Sequence, residues 1–136
     1  MKESNWKDCL DNQSARITTP DLKRANSLIK TANKRISLIK EINKENCNFV
    51  FEDYYTSILE LLQALTFIKG FNISNHICLG FYLKEILKRE DLYMIFNDLR
   101  YKRNSLIYYG DEMDFETTKQ TIEKSKKLIK EIKKLL

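Results

Sequence analysis

The stretch RYKRNSLIYYG, residues 100–110, places Arg100, Lys102 and Arg103 just before an asparagine, two tyrosines and a glycine. These residue types suit phosphate chemistry. A guanidinium fork binds phosphate oxygens through paired hydrogen bonds, and a phenol can stack on a base or donate a proton. Arg100, Asn104 and Tyr108 recur every fourth residue, so on a helix they share one face. Arg103 lies in a different register. Leu92, Phe96, Leu99, position 103 and Leu106 follow one another in steps of 4, 3, 4 and 3, which is the stripe of a core-facing helix. A charge on that stripe is costly unless a carboxylate or an interface answers it. The expected carboxylates are Glu52, Asp53 and Glu60, on the other strongly apolar helix. The alternatives are a buried structural ion pair, or a head group that reaches past the core into solvent.

The rest of the chain offers little competing chemistry. His76 is the only histidine, and one imidazole without a second base is weak ground for catalysis. A structural or surface role is expected of it. Cys9, Cys47 and Cys78 are widely spaced with no CxxC pair, so a closed zinc site is excluded and buried free thiols are expected. The acids Glu90, Asp91, Asp111, Glu112 and Asp114 fall where helix ends and loops are expected, which capping explains. No glycine-rich phosphate loop is present. No metal and no cofactor is implied.

Those residues need elements to position them. With 3 Gly and 1 Pro in 136 residues, the chain lacks the breakers of an all-β fold. A short helix is expected over 3–13, with Trp6 and Leu10 one turn apart. A long helix follows from TTPDLKRANSLIK, capped by Thr19 with Pro20 at its first position and Asp21 in its first turn. Its stripe is Leu22, Ala25, Ile29, Ala32, Ile36 and Ile39, and it should end near Asn43–Asn46. A third helix spans about 47–69, with Ile58, Leu61, Leu62, Leu65 and Ile68 inward and Gly70 just past its end. FNIS reads as a connection, and Ser74 as the cap of a fourth helix over 75–88. The fifth helix runs from Glu90–Asp91 to Tyr109, where Gly110 stops it. The last covers 115–135, with Ile122, Leu128, Ile129, Ile132 and Leu135 inward. The expected fold is therefore all-α: an up-and-down antiparallel bundle of five to six helices forming a single domain over 1–136.

Charge is uneven. The formal net charge of +5 resides in residues 119–136, which hold seven lysines and two glutamates, whereas residues 1–118 balance. This is a basic face of the last helix, solvated or phosphate-tracking. No run of about 18 uncharged apolar residues exists, so no membrane span is expected. The start of the chain lacks an apolar signal core, and a cytoplasmic location is the expectation.

Three stretches carry a family likeness: TTPDLKRANSLIKTANKRI (18–36), FVFEDYYTSILELLQALTFIKGFNISNH (49–76) and LRYKRNSLIYYG (99–110). In this order they resemble the HEPN domains, small prokaryotic helical-bundle proteins, and cover most of the chain. The family's signature is an arginine, four to six residues, then a histidine. In active members it serves metal-independent RNA cleavage where two subunits meet. By resemblance the arginine is Arg103 and its polar follower Asn104. The histidine place falls on Tyr108, or Tyr109 in a longer spacing. An imidazole shuttles protons near neutral pH and a phenol does so poorly. Positions 103 and 108 also lie about 140° apart on an ideal helix, so a joint site would need helix distortion or a second copy. The resemblance thus implies a homodimeric module with a degenerate ribonuclease motif. It would bind nucleotide or RNA, or pair with a nucleotidyltransferase, in a toxin–antitoxin or defence setting. Arg100 would add potential, and Tyr108 or Tyr109 would stack, donate protons or accept a modification. Two alternatives stay open: an active metal-independent endoribonuclease, with Tyr108 or His76 handling protons, and a non-catalytic helical interaction module.

Overall fold

The computed structural model describes residues 2–136. In chain order the elements are α1 (Trp6–Asp11), β1 (Ala15–Ile17), α2 (Leu22–Ser37), α3 (Cys47–Ile68), β2 (Phe71–Ile73), α4 (His76–Phe81), a π-helical turn (Tyr82–Ile86), α5 (Glu90–Tyr109) and α6 (Phe115–Leu135). The described residues are thus a helical bundle with one short ribbon. Helix α3 is its centre. It packs on α2, α5 and α6, and its Phe51, Tyr55, Ile58, Leu61, Leu62 and Leu65 are buried. None of the helices is long and apolar enough to cross a membrane.

The bounds of α3, α5 and α6 agree with the periodicity, and Gly110 ends α5 in the left-handed conformation at φ 67°. The other bounds differ for local reasons. Helix α2 stops at Ser37, well before Asn43–Asn46. In the loop beyond it, Asn43 Oδ1 accepts the backbone N–H groups of Glu45 and Asn46 (2.9 Å each), and Asn46 Oδ1 accepts that of Asn43 (2.7 Å). Asparagine side chains that bind nearby backbone compete with helix continuation. The α2 cap is Asp21, which accepts the Arg24 N–H, rather than Thr19. Pairing of Thr18 N–H with Gly70 O (2.8 Å) and of Asp21 N–H with Phe67 O (3.0 Å) keeps the chain extended through Pro20. Leu22, expected inward, is exposed, and Ile68 is half-buried.

FNIS is not a simple connection. Phe71–Ile73 pairs antiparallel with Ala15–Ile17, in register Ala15↔Ile73 and Ile17↔Phe71. Gly70 makes the turn into it at φ +83°, and a Cβ there would stand 2.8 Å from Thr18 O. Ser74 is taken by the ribbon, donating to Ser14 O, so Asn75 caps α4 by accepting the Cys78 N–H at 2.8 Å. The fourth helix is α-helical only to Phe81 and then widens into the π-helical turn, where Leu87 N–H reaches Tyr82 O (3.0 Å).

The cysteines correct the expectation of free thiols. Cys9 and Cys78 form a disulfide across 69 residues of sequence, joining α1 to α4. Only Cys47 is a buried free thiol.

The start of α6 is positioned by one buried amide. Asn48 donates to Met113 O and accepts the Met113 N–H, both at 3.0 Å. On the inner side of α6, the buried hydroxyls of Thr118, Thr121 and Ser125 each donate to the carbonyl one turn back, which satisfies them without a partner helix.

Candidate functional site

The apolar stripe of α5 continues through Leu92, Phe96 and Leu99, all buried, and Arg103 follows in the same register toward α3. Its guanidinium lies over the ring of Tyr55, 5.7 Å from the centroid, at the outer limit of a cation–π contact. Tyr55 is buried and stacked on Phe96. Its hydroxyl meets Nδ1 of His76 at 3.2 Å.

The expected carboxylates do not answer Arg103. Glu60 is held by Arg35 from α2, through Nε at 3.0 Å and Nη2 at 3.2 Å. Asp53 is exposed and acts on Arg35 instead. Glu52 lies along a small recess with Phe49, Leu106 and Ile107. Among the described residues Arg103 makes no ion pair, and its Nε is buried with no hydrogen-bond partner. The ion-pair reading fails because α2 supplies a guanidinium nearer to Glu60 than α5 does.

The cluster is electrically distinctive. Burial, then the positive charges of Arg103 and Arg100, hold the His76 imidazole below its ordinary pKa. Burial also pushes the Tyr55 phenol well above its usual range, against the opposing pull of the same two arginines. Near neutral pH the site therefore presents two guanidinium charges beside a neutral imidazole and a neutral phenol.

The neighbouring face of α5 opens onto a groove of about 600 Å³ walled by Arg100, Asn104, Tyr108 and Tyr109, with Tyr101, Lys2 and Glu3 at its margins. Arg100 donates to Asn97 Oδ1 at 2.9 Å and lies over the Tyr101 ring at 4.9 Å. Tyr108 and Tyr109 are largely exposed, at 69% and 77%. The expected trio of Arg100, Asn104 and Tyr108 is thus brought together. Arg103 is on the adjacent face, as the helical angle requires, and meets the Tyr55 ring, whose hydroxyl is bonded to His76. No group of three or more metal-ligating side chains occurs among the described residues.

Comparison with family models, with curated proteins and with solved structures finds no match for this chain. The site therefore rests on its own geometry.

Tyr55 and His76 are the residues that the spacing of α5 does not reveal. Tyr55 carried a signal. It lies in the α3 stripe of positions 51, 55, 58, 62 and 65, so both it and Arg103 are in core registers of helices that pack together. His76 had none, because its position follows from the ribbon and the Asn75 cap.

Proposed function

We propose that this chain is a HEPN-like domain that binds RNA or nucleotide phosphate along α5. The observation that carries the reading is Arg103: a core-register guanidinium that no carboxylate answers, beside Arg100 and a neutral imidazole. Phosphate is the anion whose oxygens suit two adjacent guanidinium forks. Asn104 offers an amide to a base edge, and Tyr101, Tyr108 and Tyr109 offer stacking surfaces. The homodimer, the nucleotidyltransferase partner and the toxin–antitoxin or defence setting come from the family likeness. Exposed Met94, Tyr101, Ile107 and Tyr108 on α5 support an interface there. Titration of a fluorescent single-stranded oligoribonucleotide tests the reading. Saturable, salt-sensitive binding that Arg103→Ala weakens and Arg35→Ala spares is expected, and equal loss in both variants would refute it. Light scattering on the same samples reports the dimer.

A second reading, a metal-independent endoribonuclease, is favoured by His76. If His76 Nδ1–H donates to Tyr55, its Nε2 is left free as a base near neutral pH. It would take the proton of a ribose 2′-hydroxyl, whose oxygen attacks the adjacent phosphorus. The 5′-oxygen leaves as it takes a proton from water, which the His76 imidazolium replenishes, and a 2′,3′-cyclic phosphate remains. Arg103 would neutralise the charge that develops on the phosphorane. Cleavage in the presence of a chelator, lost in His76→Ala and in Arg103→Ala while Tyr108→Phe retains it, would establish this reading. Intact RNA after prolonged incubation would exclude it.

A further inference from the structure

We infer that the Cys9–Cys78 disulfide is a thiol-sensitive latch that holds the N-terminal segment, residues 2–14, with its Lys2 and Glu3 at the margin of the α5 groove.

The segment has little else to hold it. Helix α1 is six residues long, too short to persist without tertiary contacts. Its buried side chains are Trp6 and Cys9. The Trp6 ring lies between Phe71 and Tyr82, at 5.6 Å from each ring, and the Trp6 backbone N–H donates to Glu85 Oε2 at 2.7 Å. The remaining ties are polar and outward. Glu3 accepts from Asn12 and Ser14 at 2.7 Å and from Asn75 at 3.2 Å, and these bonds hold its carboxyl down at about 2. The covalent tie to Cys78 therefore acts on α1 beside only the Trp6 indole, the half-buried Leu10 and the Trp6–Glu85 bond.

The latch connects to the site at both ends. Lys2 and Glu3 border the groove that Arg100, Asn104 and Tyr108 line. Cys78 is two residues beyond His76 and shares its helix, and Glu3 binds Asn75, the cap of that helix. Release of α1 would remove a cation and a carboxylate from the groove margin and free Asn75 from Glu3.

The chemistry is a two-electron exchange with a dithiol. A reductant thiolate attacks one sulfur, and the other leaves as a thiolate and takes a proton. The reductant's second thiol then displaces the mixed disulfide. Cys9 and Cys78 end as thiols, and the reductant ends as a disulfide. Both sulfurs are buried, so attack follows local opening of α1, which the buried Trp6 and the half-buried Leu10 resist.

Trp6 is the chain's single tryptophan, and it reports the latch directly. In the oxidised protein its emission should be blue-shifted and shielded from acrylamide. With dithiothreitol, once alkylation counts three free thiols in place of one, emission should move to the red. The quenching constant should rise roughly twofold or more, while the far-ultraviolet helical signal persists. The Cys9→Ser/Cys78→Ser protein should behave in the same way without reductant. If Trp6 stays shielded in both, or if the helical signal collapses with it, the latch is overturned in favour of a passive staple. The link to the groove rests on the phosphate-binding reading and has its own arm. Oligoribonucleotide affinity should differ between the oxidised and reduced forms. Absence of binding in both would refute that reading, while Trp6 still decides the latch.

Discussion

Two arginines lie between helices of this bundle, and they have opposite surroundings. Arg35 on α2 grips Glu60 of α3 with two nitrogens at 3.0 and 3.2 Å. Arg103 on α5 faces the same helix and finds a phenol ring at 5.7 Å and an imidazole beyond it, with its Nε unpartnered. The first guanidinium is neutralised within the fold. The second has no carboxylate partner among the described residues. A cation between helices is thus not informative by itself; what distinguishes the two is whether a carboxylate has been taken by someone else.

Removing each arginine is the sharpest way to break the comparison. Arg103→Ala should weaken oligoribonucleotide binding about tenfold to a hundredfold, the worth of a charged hydrogen-bonded contact. Circular dichroism should show an unchanged fold. Arg35→Ala should leave binding intact and lower stability by about 1 kcal/mol in urea denaturation. That figure is modest because the Arg35 side chain is 35% exposed and its pair is screened by solvent. If the two variants exchange these effects, the assignment of roles is wrong.

Salt dependence sharpens the contrast further. A residue that contacts phosphate releases a counterion, so Arg103→Ala should flatten the slope of log affinity against log salt by about one unit. Arg35→Ala should leave that slope as it is.

The smallest effect concerns pH. The His76 imidazole titrates lower in the folded protein than in the unfolded chain, through burial and then Arg103 and Arg100. The unfolded chain therefore binds the proton first. The contribution of His76 to stability is complete above its ordinary pKa of about 6.5, and declines as pH falls through that value toward the lower folded one. Urea midpoints between neutral and mildly acidic pH should fall less steeply in His76→Asn than in the parent. Equal slopes would mean that the imidazole is neither buried nor beside the two arginines in the folded protein.

Much of this arrangement was legible in the sequence. The stripes of α3, α5 and α6 are long and regular, and they located the core, the end of α5 at Gly110 and the anomalous register of Arg103. The partner of Arg103 was not legible, because periodicity fixes the face of one helix and not its rotation against another. Glu60 was available on α3, yet α2 brought Arg35 to it. The ribbon escaped notice since three-residue strands carry no readable alternation, and its pairing displaced the expected caps at Thr19 and Ser74 by one or two residues. The disulfide joins positions 69 apart, so no local spacing hints at it. His76 was visible as a residue but not as a neighbour of Arg103, which is a property of the folded chain alone.

Asn48 fastens α3 to the residue just before the α6 cap. Its amide both gives to and takes from the peptide of Met113, so a side chain here plays the part of a strand edge. Aspartate would set an acceptor against a carbonyl, glutamine would reach too far, and leucine would orphan two backbone groups at once. Over evolutionary time this position should drift less than the apolar core around it, where one aliphatic side chain can stand in for another. A gathering of relatives would then be recognised by an invariant asparagine that lies outside the α5 groove.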